Sequence, residues 1–141
     1  MEKSLKKVLA NSFMFYIKSH NFHINVTGVY FKQFHDLFGE IYEEAFAEVD
    51  LIAEHIRSIG KYAPISISRI ATTTDIKDDG SIPDALSMAK RLIEDNKIVI
   101  ASLYEAYKEA DAAKELGLAN FLQDRIDAHN KTEWMLKATT E

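Results

Sequence analysis

The chain has 141 residues, 47% of them hydrophobic, which fits one domain with a sizeable core and argues against disorder. A net charge of −5 makes nucleic-acid binding a poor default, because phosphate contact needs clustered Lys and Arg. The absence of cysteine excludes disulfides, thiolate metal sites and thiol nucleophiles and fits a reducing cytoplasm.

The chain opens Met1-Glu2-Lys3-Ser4-Leu5-Lys6-Lys7, with neither the apolar stretch nor the small-residue cleavage site of a signal peptide. No apolar run approaches the roughly 20 residues of a membrane span, so an intracellular location is expected. Lys3, Lys6 and Lys7 read as a solvated first helical turn in preference to a DNA arm. Leu5, Leu9, Phe13, Tyr16, His20 and His23 then recur at three- and four-residue steps, and Val8, Phe15, Phe22 and Val26 mark a second stripe. That pattern predicts a helix buried on more than one side, ended by Gly28.

The second segment has the clearest period. Phe34, Phe38, Ile41, Ala45, Val49, Ile52, Ile56 and Ile59 predict an amphipathic helix from about Phe31 to Gly60. An adjacent stripe, Phe31, His35, Gly39, Tyr42, Phe46, Asp50 and Ala53, gives this helix a second apolar face, suited to a second subunit. Residues Ala63 to Pro83 break the pattern. Ile65 to Ile70 predicts a short helix across the bundle, Thr72 to Ser81 a loop, and Pro83 the start of the next helix. Leu86, Ala89, Ile93, Ile100, Leu103, Tyr107 and Ala110 carry that helix to about Lys114. Gly117 separates it from a last helix with Phe121, Leu122, Ile126, His129, Trp134 and Leu136. Four long helices with one long middle connection predict an all-α four-helix bundle of the ferritin-like kind.

Four side chains stand out as ligands for a transition metal such as iron: His23 and His35, twelve residues apart, then Asp50 and Glu54 on one helix face. On a continuous helix Asp50 lies about 22 Å along the axis from His35, at 1.5 Å per residue. One chain cannot close these groups around one ion, whereas two chains packed antiparallel about a two-fold axis can. His20, one turn before His23, is a candidate outer ligand or hydrogen-bond partner. His55 and His129 read as structural or surface residues. No His has an acid three residues before it, which argues against a di-iron site inside one bundle. A phosphate loop, an H-E-x-x-H pattern and a G-x-S-x-G elbow are also absent.

The segment K-S-H-N-F-H-I-N-V-T-G-V-Y-F-K-Q-F-H, Lys18 to His35, resembles the signature of the Dps family, the ferritin-like mini-ferritins also called DNA-binding proteins from starved cells. The likeness continues from Phe38 to Gly60 and returns from Phe121 to Leu136. It implies a single ferritin-like domain over residues 1–141, in a hollow, cytoplasmic shell of twelve subunits. It further implies a ferroxidase centre between two-fold-related subunits, with His23 and His35 from one chain and Asp50 and Glu54 from the other. Ferrous iron is then oxidised by hydrogen peroxide or dioxygen and stored as ferric mineral, which limits oxidative damage.

Several positions depart from the family pattern. Ile24 stands where Trp is usual, and Gly39 where many members carry an acid. His20 is the candidate substitute ligand, and zinc a competitor for the site. Asn120 replaces an acid near the three-fold entry pore, with Glu115, Asp124 and Asp127 nearby. The long Lys-rich tail that some members use on DNA is not seen. Two alternatives follow: a nucleoid-associated DNA binder with little oxidase activity, and a structural shell whose site holds zinc.

Overall fold

The structure, a computed structural model, describes every residue from Met1 to Glu141. Four long helices and one short one make the bundle: α1 (Glu2–Asn25), α2 (Phe31–Ser58), α3 (Ile67–Thr73), α4 (Ala85–Ala112) and α5 (Leu116–Thr139). α1 packs against α2, α3 and α4, which is why both of its apolar stripes find cover. Leu5, Val8, Leu9, Phe15, Phe22 and Val26 are all buried. Extended Val26 ends α1, and Gly28 takes φ +121°, a value L side chains avoid. Phe31 N–H donates to the Gly28 carbonyl at 3.1 Å, folding α2 back along α1.

On α2 the predicted inner stripe from Phe34 to Ile56 is buried throughout. Each large side chain there contributes about 1.5–3 kcal/mol of apolar burial. The second stripe divides: Gly39 and Ala53 are buried, whereas Phe46 remains 59% exposed.

The short helix falls two residues later than the pattern Ile65 to Ile70 suggests, because Ser66 caps it by accepting from Arg69 N–H at 3.3 Å. The loop behind it is tied to α1. Asn11 Oδ1 accepts from Thr74 Oγ1 and from Asp75 N–H, both at 2.8 Å. Lys18 pairs with Asp95 of α4 at 2.6 Å and reaches the Lys77 carbonyl at 3.3 Å.

Pro83 does not open α4; Asp84 caps it, accepting from Ser87 N–H at 2.9 Å. That bond, foremost, holds the Asp84 carboxyl below its ordinary range. Nor does Gly117 separate the last two helices. Lys114 makes the turn at φ +57°, with Glu115 N–H on the Ala110 carbonyl and Lys114 N–H on that of Asp111. This is a left-handed helix cap of the kind glycine usually supplies, and Gly117 falls in the first turn of α5. Trp134, which lies on the last helix as the sequence predicts, is 66% exposed.

One polar cluster joins all four long helices inside the core. Glu48 of α2 is buried, with Arg125 and His129 of α5 on its Oε2 at 3.1 and 2.8 Å and Ser12 of α1 at 3.4 Å from Oε1. Asn96 of α4 donates its amide to the His129 carbonyl at 2.9 Å, which turns its Oδ1 toward His129 Nδ1 at 2.6 Å. Both ring nitrogens thus face acceptors, and the imidazole carries both protons. Burial alone pushes the Glu48 carboxyl up, but His129 and Arg125 together outweigh it and hold the group below the ordinary carboxylate range. No helix of the chain is long and apolar enough to cross a membrane.

Candidate metal centre

His23 sits in the last turn of α1 and His35 in the second turn of α2, on either side of the Gly28 turn. Their rings stack with centroids 3.9 Å apart and planes at 17°. The pair is interlocked: His23 Nδ1 lies 2.7 Å from the His35 carbonyl oxygen, and His35 Nδ1 lies 2.7 Å from the His23 carbonyl oxygen. A carbonyl only accepts, so each Nδ1 carries the proton and each Nε2 keeps a free lone pair. That is the tautomer a metal-binding imidazole needs, fixed here by the backbone of the other helix. Phe31 stacks on His35 at 4.9 Å and Tyr42 lies 5.1 Å from His23.

The contact at Gly39 explains the absence of a side chain there. A Cβ at this position would lie 2.9 Å from His23 Nδ1 and 3.0 Å from its Cε1. The ring of His23 therefore occupies the space an acid at 39 would need. Alanine at Gly39 is expected to act in opposite senses on fold and site. Helix propensity favours it by about 1 kcal/mol, so the unfolding midpoint should hold or rise. The displaced His23 ring weakens its bond to the His35 carbonyl, so ferrous affinity should fall about tenfold or more. Calorimetric titration beside denaturant unfolding separates the two effects.

His20 stands one ring further back. It lies flat on Tyr42, with centroids 4.0 Å apart and planes at 5°, and 6.3 Å from His23 by centroid. Its Nδ1 is 3.2 Å from the Tyr16 hydroxyl.

Asp50 and Glu54 are exposed on α2. Neither enters an ion pair of the chain. α2 is continuous from Phe31 to Ser58, so Asp50 stays about 22 Å and Glu54 about 28 Å along the axis from His35. Within one chain no three His, Asp or Glu side chains converge on a metal position. His55 packs on Phe121 at 4.5 Å, and burial draws its pKa down against the pull of Glu54. His129 belongs to the core cluster.

Two features were not read from the sequence. The interlocked tautomers depend on backbone carbonyls, which leave no residue-type signal. The ring layer of Tyr16, Tyr42 and His20 did leave one, since Tyr16 and His20 share a helical stripe and Tyr42 lies on the outer stripe of α2.

The ferritin-like domain family matches residues 2–141. A DNA protection during starvation protein of Brevibacillus brevis is 33% identical over 138 residues, covering 97% of this chain and 92% of that protein. A low-temperature-induced protein of a Nostoc species is 30% identical over 139 residues, covering 97% of this chain and 78% of its own length. Among solved structures, a Dps protein from Bacillus brevis superposes with TM-score 0.94 at 31% identity, over 99% of this chain and 94% of that one. The Dps protein of Vibrio cholerae O1, a member of a broad superfamily of ferritin-like diiron-carboxylate proteins, superposes with TM-score 0.95 at 26% identity, over 99% and 88%. With four long helices, a short helix in the connection and matches along nearly its whole length, the chain belongs to the Dps family of ferritin-like proteins.

Proposed function

We propose that this protein is an iron-storing mini-ferritin that oxidises ferrous iron at a site shared between two chains. The observation that carries the reading is the interlocked pair His23 and His35, whose stacked rings each keep Nε2 free while the chain offers them no acidic partner. Asp50 and Glu54 are the complementary half: exposed, four residues apart and without a countercharge.

An antiparallel meeting of two α2 helices brings residue 35 of one chain opposite residues 50 to 54 of the other when the two-fold axis passes near residues 43 and 44. Phe46 lies close to that axis, and its 59% exposed ring supplies apolar area for the contact. Two imidazoles and two carboxylates make a donor set suited to ferrous iron, which is here the substrate. Zinc takes the same donors and competes for them.

In this reading the protein positions the ion and hydrogen peroxide or dioxygen removes the electrons. With peroxide, two ferrous ions supply two electrons, the oxygen–oxygen bond breaks, and two protons complete two waters. The ferric product is stored in the hollow of a twelve-chain shell. Glu40 and Glu44 of α2 line one groove with Asp124 and Asp127 of α5, an acidic surface on which ferric ions can collect.

Native mass measurement together with anaerobic ferrous titration tests the proposal. Expected are a twelve-chain particle, saturation near one tight ferrous ion per chain, and ferric absorbance that rises on adding peroxide. A monomer that oxidises iron no faster than buffer contradicts it.

A further inference from the structure

Two exposed apolar surfaces stand at opposite ends of α2 and find no cover within the chain. The first is a groove of about 540 Å³ at the α1–α2 turn, lined by Val29, Tyr30, Phe34 and Leu86, with Asp84 its only charged residue. Val29 there is 93% exposed. The second is the segment that leaves α2, where Tyr62 and Ile67 are 82% and 85% exposed and Ile65 is exposed between them.

The second surface is held in place. Gly60 turns the chain out of α2 at φ +83°, and Lys61 N–H donates to the Ile56 carbonyl at 3.2 Å. Arg57 donates to the Lys61 carbonyl at 3.0 Å, and its guanidinium lies 4.6 Å from the centre of the Tyr62 ring. One face of Tyr62 is thereby fixed and the other is free. Ser66 caps α3 and so sets the position of Ile67. The cleft behind Tyr62 is lined by Lys6, Lys61 and Arg69 against Glu2 alone.

Resting on the shared-site reading above, we infer that the segment from Tyr62 to Ile67 of one chain docks into the α1–α2 groove of its two-fold partner. Register, apolar match and charge point the same way. An axis near residues 43 and 44 sets residue 58, the end of α2, level with residue 29 of the other chain. The segment leaving α2 thus emerges at the height of the partner's groove. Docking covers two apolar patches that each chain by itself leaves in water, and it does so with a Tyr already held by an Arg, so little side-chain freedom is lost. The segment carries cations, whereas the groove carries the Asp84 carboxylate. By symmetry the contact forms twice in each pair of chains. Each chain then gives its partner two acids and also a clamp on the turn that holds His23 against His35.

The chain has no cysteine, so disulfide trapping tests the clamp cleanly. Val29→Cys is combined in turn with Tyr62→Cys, Ile65→Cys and Ile67→Cys, and the assembled protein is oxidised. The two positions of one chain lie about 40 Å apart along α2, at 1.5 Å per residue, far beyond the roughly 7 Å between Cα atoms that a disulfide spans. Any disulfide therefore joins two chains. Expected in at least one of the three variants is a covalent dimer closed by two disulfides, holding most of the chains. No covalent dimer in any of the three overturns the clamp, and so does a ladder of trimers and longer species. Ile65→Asp with Ile67→Asp gives a second readout. Both side chains are exposed, so the fold should hold, but the new carboxylates face Asp84. Native mass measurement on dilution should show the assembly falling apart at a concentration at least tenfold higher than the parent. An unchanged concentration overturns the docking. After any of these failures the shared site stands, provided ferrous oxidation still requires Asp50 and Glu54. Oxidation indifferent to those two acids overturns the site, and with it the register on which the clamp depends.

Discussion

Replacing Asp50 and Glu54 together by alanine lowers peroxide-driven ferrous oxidation more than about 100-fold, because even loss of a residue that merely supports a ligand costs 10–100-fold in metal affinity. The same variant should fold as well as the parent. Both side chains are exposed and unpaired in the chain, and surface changes of this kind stay within about 0.5 kcal/mol. The interlocked histidines are untouched, so residual ferrous binding through two imidazoles alone should be weak and readily lost. Stopped-flow absorbance measures the rate, and unfolding by denaturant checks the fold. A rate within a few-fold of wild type removes these acids from the centre.

Alanine at Glu48 produces the largest expected loss of stability, about 3–5 kcal/mol, because it leaves the buried His129 without its carboxylate and Arg125 with Glu44 alone. The cost comes from the orphaned charges more than from the pair itself. The double variant Glu48→Leu with His129→Leu should therefore lose less than the sum of the two single changes. Acid should act through the same group. The folded carboxyl titrates below its ordinary range, so the stability it contributes is fully present above that range. It is lost as pH falls below the ordinary carboxylate value and through the depressed folded one. The parent should weaken steeply across that window, and Glu48→Leu/His129→Leu should weaken less. Urea midpoints measured from neutral pH down to pH 3 give both slopes.

How much of this was legible in the sequence depends on the scale of the cause. The inner stripe of α2 was readable because seven apolar residues at helical steps, Phe34 to Ile56, admit one periodicity, and all are buried. The proximity of His23 and His35 was readable from the short turn at Gly28. Helix ends were less so: Gly117 and Pro83 looked like boundaries, but Lys114 in a left-handed cap and Asp84 as an N-cap took those roles. A cap depends on one residue's backbone angles and leaves little pattern.

Glu48 was missed although it had a signal. It stands three residues after Ala45 and four before Ile52, on the apolar face, where an acid must have a partner. That partner, His129, lies 81 residues away, and no local spacing links the two. Gly39 was noted as a missing acid. Its reason, a histidine ring lying 2.9 Å from where a Cβ would sit, needed the packing of α1 on α2.

The shared centre is tested most directly by mixing two inactive chains. One carries His23→Ala and His35→Ala, the other Asp50→Ala and Glu54→Ala, and each forms dead assemblies by itself. When they are co-expressed, random two-fold pairing makes half of the dimers mixed, and each mixed dimer joins one intact pair of histidines to one intact pair of acids. The account predicts recovery of about one quarter of wild-type ferrous oxidation per chain. Mixed assemblies that form yet stay as inactive as either parent would contradict it.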